Sequence, residues 1–308
     1  MATTFKVEDH HILQFTGNVE LLLQQKTPRL SGTVNTGSYK GSAAQVVKQF
    51  GEVEFNPFNQ GTDPGDWKGD TVHDDIEHHQ RWLMPSDFAL ALADAKGDDI
   101  RLIGDPKSPY AEAMRAAYAR KHDDLIIMAA TNPAKTGTYD DLTDTDLPDG
   151  QIIGHDYDPG GEGEGLTVAK LIKAREMLIA ANNDPGEARF LACSEKQLSD
   201  LLGSIKVTSA DYNSVKALVK GEVDSFMGFR FISTERLLKT TAGMAAPITI
   251  RHCLAWVKSG LHFGTWNSLE THIDRRPDKN YLWQIWMSFT AGATRTQERK
   301  VVQINCAE

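Results

Sequence analysis

The densest set of potential ligands in this chain is the run His73-Asp74-Asp75-Ile76-Glu77-His78-His79. Imidazole and carboxylate together are what a divalent metal ion takes, and a bound ion can activate water for hydrolysis. The spacing does not make HExxH, in which two histidines four apart share one helix face. Nor is a matching His, Asp or Glu group spaced elsewhere to complete a site, so a solvated strand or a subunit contact is the expected role. A metal-dependent hydrolase built on His73–His79 is the enzyme alternative. Gly161-x-Gly163-x-Gly165 ahead of a helical run is a second candidate, because N–H groups there could cradle a phosphate. Glu162 and Glu164 would set two negative charges against it, and no Lys-Ser/Thr pair ends the run. The acidic stretch 139–150 imitates a calcium loop, but counting from Asp144 puts Pro148 at a ligand position and His155 where a bidentate Glu belongs. It is expected to be a solvated loop. No GxSxG elbow is present. Cys193, Cys253 and Cys306 are odd in number and lack CxxC spacing, so small buried hydrophobes are expected, without a disulfide framework or zinc site. The sequence shows no catalytic machinery, and no cofactor is expected.

The totals bound the classes further. At 308 residues the chain is long enough for one large or two ordinary domains with a substantial core. Its net charge of −9 excludes a protein whose main task is gripping nucleic acid, since that affinity comes from Lys and Arg neutralising phosphates. No apolar run approaches the roughly 20 residues of a membrane span, and MATTFKVEDHH lacks a basic-then-apolar signal pattern. No membrane partner and a cytoplasmic origin are therefore expected.

These residues must be held by elements legible in the pattern. Residues 9–25 carry Ile12, Phe15, Val19, Leu22 and Leu23 at helical spacing, with Pro28 beyond. Residues 29–87 are punctuated by seven glycines from Gly32 to Gly69 and hold few apolar anchors, which predicts short strands in an extended arm lying on a neighbouring subunit. DFALALADAKGDD predicts a short helix. The next stretch, 105–137, predicts a long one over 109–130, about 33 Å in length. Ser108 would cap it, Pro109 would open it, Glu112 would meet the positive dipole end, and Asn132-Pro133 would stop it. Tyr110, Met114, Ala117, Leu125 and Met128 form the expected apolar stripe, interrupted by Lys121. Beyond lie a helix over 167–181, a strand over 189–193, a helix from Ser194, a helix and turn around 215–221, and a strand over 225–232. The tail holds two strand-rich runs. Trp256, Trp266, Trp283 and Trp286 fall in these runs, where a sheet core is expected over an exposed patch. The class is α+β.

Three blocks in order, LMPSDFALALADAKGDDIRLIGDPKSPYAEAMRAAYARKHDDLIIMAATNPAKTG, SVKALVKGEVDSFMGFRFISTERL and HIDRRPDKNYLWQIWMSFTAGATRTQERKVVQI, resemble the major capsid proteins of tailed bacteriophages, with the Hong Kong 97 shell fold. The resemblance runs from Leu83 almost to the C-terminus. It implies an N-terminal arm with a short helix over 1–31 and an extended loop over 32–81. It further implies a peripheral domain over 82–150 and 266–308 with its spine helix at 109–130, and an axial domain over 151–265.

Function follows from that resemblance: self-assembly into hexamers and pentamers of an icosahedral head enclosing double-stranded DNA, a virion shell assembled in the host bacterial cytoplasm. Partners implied are the chain itself, a separate scaffolding protein because few residues precede the arm, a portal, a decoration protein in some members, and DNA contacted non-specifically. The subunit-contact candidates are Lys40, Lys48, Phe55, Phe58, Trp67, Lys68, His73, His78, Arg81, Arg275, Arg276 and Asp278. Some relatives cross-link a loop lysine to an asparagine, but no motif around Lys40, Lys48 or Lys68 matches. Bacterial encapsulin compartments share the fold and are the nearest alternative.

Overall fold

The computed structural model of the chain describes residues 25, 27–50, 78–94, 107–157, 165–184, 186–203, 225–242 and 248–308. The helices expected over 9–25 and around 215 lie outside these residues. Strands β1 (Asn35–Ser38) and β2 (Ala44–Phe50) precede β3 (His78–Leu83), β4 (Ser86–Asp94) and the long helix α1 (Lys107–Thr131). Next come β5 (Ala134–Thr138), β6 (Asp141–Thr145), the two-residue β7 (Ile152–Ile153), α2 (Val168–Ala180), β8 (Arg189–Cys193) and α3 (Glu195–Gly203). The chain closes with β9 (Ser225–Phe226), β10 (Phe229–Ser233), β11 (Lys239–Ala242), β12 (Ile248–Val257), β13 (Leu261–Arg276), β14 (Leu282–Arg295) and β15 (Val301–Ala307).

Three sheets result. One has the order β1-β13-β14-β4, a second has β7-β15-β12-β8-β10-β9 with β11 also on β12, and a third has β2-β3-β5-β6. In the first, β13 and β14 make a hairpin whose longer arm spans roughly 50 Å at the usual strand rise. Helix α1 lies across it: Met114 packs with Ile285 and Met287, the Tyr118 ring meets Phe289 edge-on at 4.8 Å, and His122 sits 4.2 Å from the Phe263 ring. Helix α2 opens at Thr167, whose Oγ1 accepts from the Lys170 N–H at 3.3 Å, and buries Leu171, Ala174 and Leu178 against the second sheet.

Several expectations are corrected. DFALALAD is a strand: the alternation of Phe88, Leu90 and Leu92 with alanines has period two, and unbroken pairing with β14 from Ser86 to Asp94 overrides the helical preference of alanine. The acidic stretch is not merely loop, because Asp141–Thr145 pairs with β5 as a hairpin, although Asp140, Asp141 and Asp144 remain exposed. Ser108 and Pro109 fall inside α1, which already includes Lys107. The buried face of α1 runs through Ala116, Ala119, His122, Asp123, Ile126, Ile127 and Ala130, whereas Met128 is exposed. Two polar residues within that face hid it from an apolar count. β15, expected beside the long helix with the rest of 266–308, is instead a strand of the second sheet between β7 and β12. The base of the arm is also tied to its own subunit, since Leu30 and Val34 are buried in the main core.

The tryptophans divide. Trp256 is buried with its Nε1–H donating to the Thr33 carbonyl at 3.0 Å. Trp266 and Trp286 are half-buried, and the side chain of Trp283 lies outside what is described.

Buried polar groups fix how these layers meet. Asp123 accepts from the backbone N–H of Arg29 at 3.0 Å, from that of Leu30 at 3.1 Å, and from Gln25 Nε2. Burial pushes its carboxyl pKa up, but the hydrogen bonds from His122, Arg29, Gln25 and Leu30 outweigh this and hold it below the ordinary value. Arg295, fully buried, donates from Nη1 to the carbonyls of Ala130 at 3.0 Å and Asn132 at 3.1 Å, and from Nη2 to that of Thr145 at 3.0 Å. Burial pushes its pKa down, and Glu298 pushes it back up. The same carboxylate binds Arg81 Nη2 at 2.5 Å and lies 3.8 Å from Arg295 Nε, so one Glu faces two buried guanidinium groups.

Where β3 turns into β4 the chain crosses the long hairpin at a notch of two glycines, Gly264 and Gly292, which are direct register partners. A Cβ on Gly292 would stand 2.4 Å from the Met84 carbonyl oxygen, and one on Gly264 would stand 2.4 Å from Leu83 Cδ2. Only a residue without a side chain lets the crossing strand sit this close.

Two outcomes follow. Glu298→Ala leaves Arg81 and Arg295 uncompensated in the interior, and urea unfolding of the subunit should show a loss of about 3–5 kcal/mol; a loss under about 1 kcal/mol would show that the pair contributes little. Asp123→Asn should cost about 1–3 kcal/mol near neutral pH. Because the folded carboxyl pKa is lowered, its contribution is complete above the unfolded value near 4 and fades as pH falls through the folded value. The stability gap between wild type and Asp123→Asn should therefore narrow below about pH 4.

Candidate subunit-interface surfaces

The long hairpin carries one group of candidate contact residues at its far end. Pro277–Lys279 make a tight turn, and Asn280 and Tyr281 complete it with φ of 54° and 58°. There Arg276 forks onto Asp278, with Nε to Oδ1 at 2.7 Å and Nη2 to Oδ2 at 2.5 Å, while Nη1 reaches Gln284 Oε1 at 2.9 Å. The guanidinium holds the Asp278 pKa down at about 2. Arg275, Arg276, Asp278 and Tyr281 are all exposed, Tyr281 at 57%. Such a tip offers a preformed charged surface and an aromatic ring, with the bidentate pair holding its shape.

Lys40 is exposed just after β1. The residue before it is anchored: Tyr39 Oη lies 2.7 Å from His262 Nε2, and its ring is 5.4 Å from that of Trp266. Burial raises the Tyr39 pKa and lowers that of His262, so a neutral pair is favoured. Arg81 is different. It is 6% exposed and bound to Glu298, which places it inside the subunit and not on its surface. Lys48 and His78 lie on β2 and β3, which pair with each other; their side chains are not described. Phe55, Phe58, Trp67, Lys68 and His73 lie outside the described residues.

Sites for chemistry fare as follows. Of the histidine cluster, His79 is exposed on β3, and among the described residues no group of three or more His, Cys, Asp or Glu could hold a metal ion. At the end of the glycine run, the Gly165 carbonyl accepts from the buried Lys170 Nζ at 2.9 Å, beside the His155 carbonyl at 3.0 Å and that of Asn305 at 3.2 Å. That end of the loop is thus spent on binding a cation, the reverse of what a phosphate cradle requires. The three cysteines are buried and free, and they gather on the second sheet, where Cys253 meets Cys306 and feels Cys193. Contact with Cys306 and burial keep the Cys253 thiol well above its ordinary pKa, and burial does the same to Cys193. Thiols so placed are unreactive. Spacing in sequence gave no sign that they would meet.

Exposed residues that sequence reasoning did not single out include Leu90, Tyr139, Tyr157, Ile172 and Ile179. Strand alternation around Leu90 was the available signal.

Comparison with solved structures places this architecture. The capsid of cyanophage P-SCSP1u matches with 16% identity over 96% of this chain and 93% of the other, with a TM-score of 0.67. The Ralstonia phage GP4 capsid matches at 11% identity over 100% and 98%, TM-score 0.71, and the cyanophage Pam1 capsid at 11% over 100% and 98%, TM-score 0.70. At these identities the likeness establishes the fold, which is that of the Hong Kong 97-like shell. Curated protein sequences give no match. The profile of the family described as phage capsid protein matches residues 7–308, nearly the whole chain, and the protein belongs to that family of structural shell proteins.

Proposed function

We propose that this capsid subunit assembles into hexamers and pentamers of an icosahedral head enclosing double-stranded DNA. The observation that carries the reading is the family match across residues 7–308. Residues 1–31 act as an arm and 32–81 as a loop over a neighbouring subunit. Peripheral and axial parts follow the division 82–150 with 266–308 and 151–265, with β15 passing into the axial sheet. Lys40, Arg275, Arg276 and Asp278 serve as subunit contacts, as do the loop residues Lys48, Phe55, Phe58, Trp67, Lys68, His73 and His78.

Assembly takes place in the host bacterial cytoplasm with a separate scaffolding protein, a portal and, in some shells, a decoration protein. A net charge of −9 suits a container whose DNA must move during packaging, because a strongly basic lining would bind phosphates. Electron microscopy of the purified protein tests this. Closed shells or ring-shaped capsomers are expected, and shells recovered from infected cells should contain DNA; a chain that stays monomeric under every assembly condition would overturn the reading.

A further inference from the structure

Among the described residues, strand β4 is an unguarded sheet edge. It bounds the sheet β1-β13-β14-β4, and its partners among the described residues all lie on β14. Its register with β14 runs from Ser86 to Asp94 without a shift, so no bulge twists the free side away. Between Asp87 and Asp94 the sequence is Phe-Ala-Leu-Ala-Leu-Ala, without a charge or a proline. Ala89, Ala91 and Ala93 are exposed, and Leu90 is 38% exposed on the side where α1 covers its neighbour Met287 to 5%. Soluble proteins blunt such an edge with lysine, proline, a bulge or a covering segment. None of these guards β4 among the described residues.

We propose that β4 pairs antiparallel with β4 of a second copy, joining two four-stranded sheets across a twofold axis. This rests on the shell reading above and names one of its contacts. The strand is complementary to itself in one register. Directly opposed residues share a face, so with Leu90 opposite Leu90 the helix side sets Phe88 against Leu92, and the open side sets Ala89 against Ala91. Asp87 then faces Ala93 and Asp94 faces Ser86, so no carboxylate opposes another. Asp87 is also held within its own sheet by the Thr290 hydroxyl at 2.6 Å. Sliding the pair by two residues sets Asp94 against Phe88 or Ser86 against Leu92 and shortens the ladder. Sliding by one turns each side chain to the wrong face. A contact of this isologous kind closes on itself, as a twofold in a closed shell must.

The test uses the full chain with L90C or A93C, since the three native thiols are buried. Across the proposed axis the two L90C thiols are adjacent, whereas those of A93C are about 20 Å apart along the ladder. Mild oxidation of assembled protein should double the mass of L90C on a non-reducing gel, reversibly with reductant, and leave A93C at the monomer mass. Far-UV circular dichroism checks that both variants fold. In the double variant L90C/A91K the dimer band should fall, because A91K sets a charge beside the axis. If L90C stays monomeric on the gel while electron microscopy shows shells, the edge contact is wrong and the shell reading stands. Equal cross-linking of L90C and A93C marks random collision and also overturns the contact. Absence of both dimers and shells overturns the contact and the shell reading together.

Discussion

The guanidinium of Arg295 is the constraint on which the layers of this subunit depend. It ends β14, and it reaches three carbonyls contributed by the last turn of α1, the segment after it, and the end of β6. Carbonyls at a helix C-terminus lack partners within the helix and carry the negative end of its dipole, so a cation there answers two needs at once. The position of α1 along the β13–β14 hairpin is thereby set at one end. Seven residues back, Asp123 sets it again by binding the backbone of Arg29 and Leu30. Elsewhere along its length the helix meets the core largely through alanines, Met114, Tyr118 and the isoleucines at 126 and 127, contacts that supply burial but little directional preference. Apolar burial holds the rod down, and charge-assisted bonds decide where along the sheet it sits.

The glycine notch does the corresponding work for the arm. Segments on both sides of residues 51–77 must return to the same subunit, and β3 does so by crossing the hairpin at Gly264 and Gly292. Just before the crossing, Arg81 enters the Glu298 pair that also faces Arg295. The arm base and the helix end therefore share one carboxylate. A buried ion pair of this sort is a poor source of net stability, yet it penalises any arrangement that separates its members. The physical result is a joint whose geometry is specified more sharply than its energy would suggest.

How far the sequence revealed this depends on the range of the interactions involved. Helix α2 and strand β8 were legible because their signals are local: a helical run over 167–181 and a compact apolar run bounded by turn residues. α1 was legible as a rod, but apart from Met114 its buried face lies about two residues, roughly half a turn, from the expected stripe. Asp123 belongs to that face for reasons that lie more than ninety positions away in the chain, at Arg29 and Leu30, and His122 for one that lies further off, at the Phe263 ring. β4 was mistaken for a helix because alanine and leucine favour one locally, whereas nine partners on β14 decided otherwise. The family was visible from the order of three long blocks, yet the burial of Arg81 was not. Arg81 looked like a surface cation, and only its meeting with Glu298 across more than two hundred positions takes it inside.

What is satisfied and what is left open divide along a clear line. Inside the subunit, Lys170, Arg295 and Asp123 each collect several backbone partners, so the connections between layers are closed. Along the sides, β4 and β6 are terminal strands of their sheets among the described residues, and the Arg276–Asp278 tip is exposed. A chain that had to be stable alone would gain by guarding those edges, since each is a template for unwanted pairing. One that must join copies of itself has the opposite requirement: its interior must be rigid enough to hold the edges in fixed directions, because a template that wanders cannot select one partner geometry. The buried polar joints and the bare edge are thus two sides of one design, with the first fixing the angle at which the second is offered.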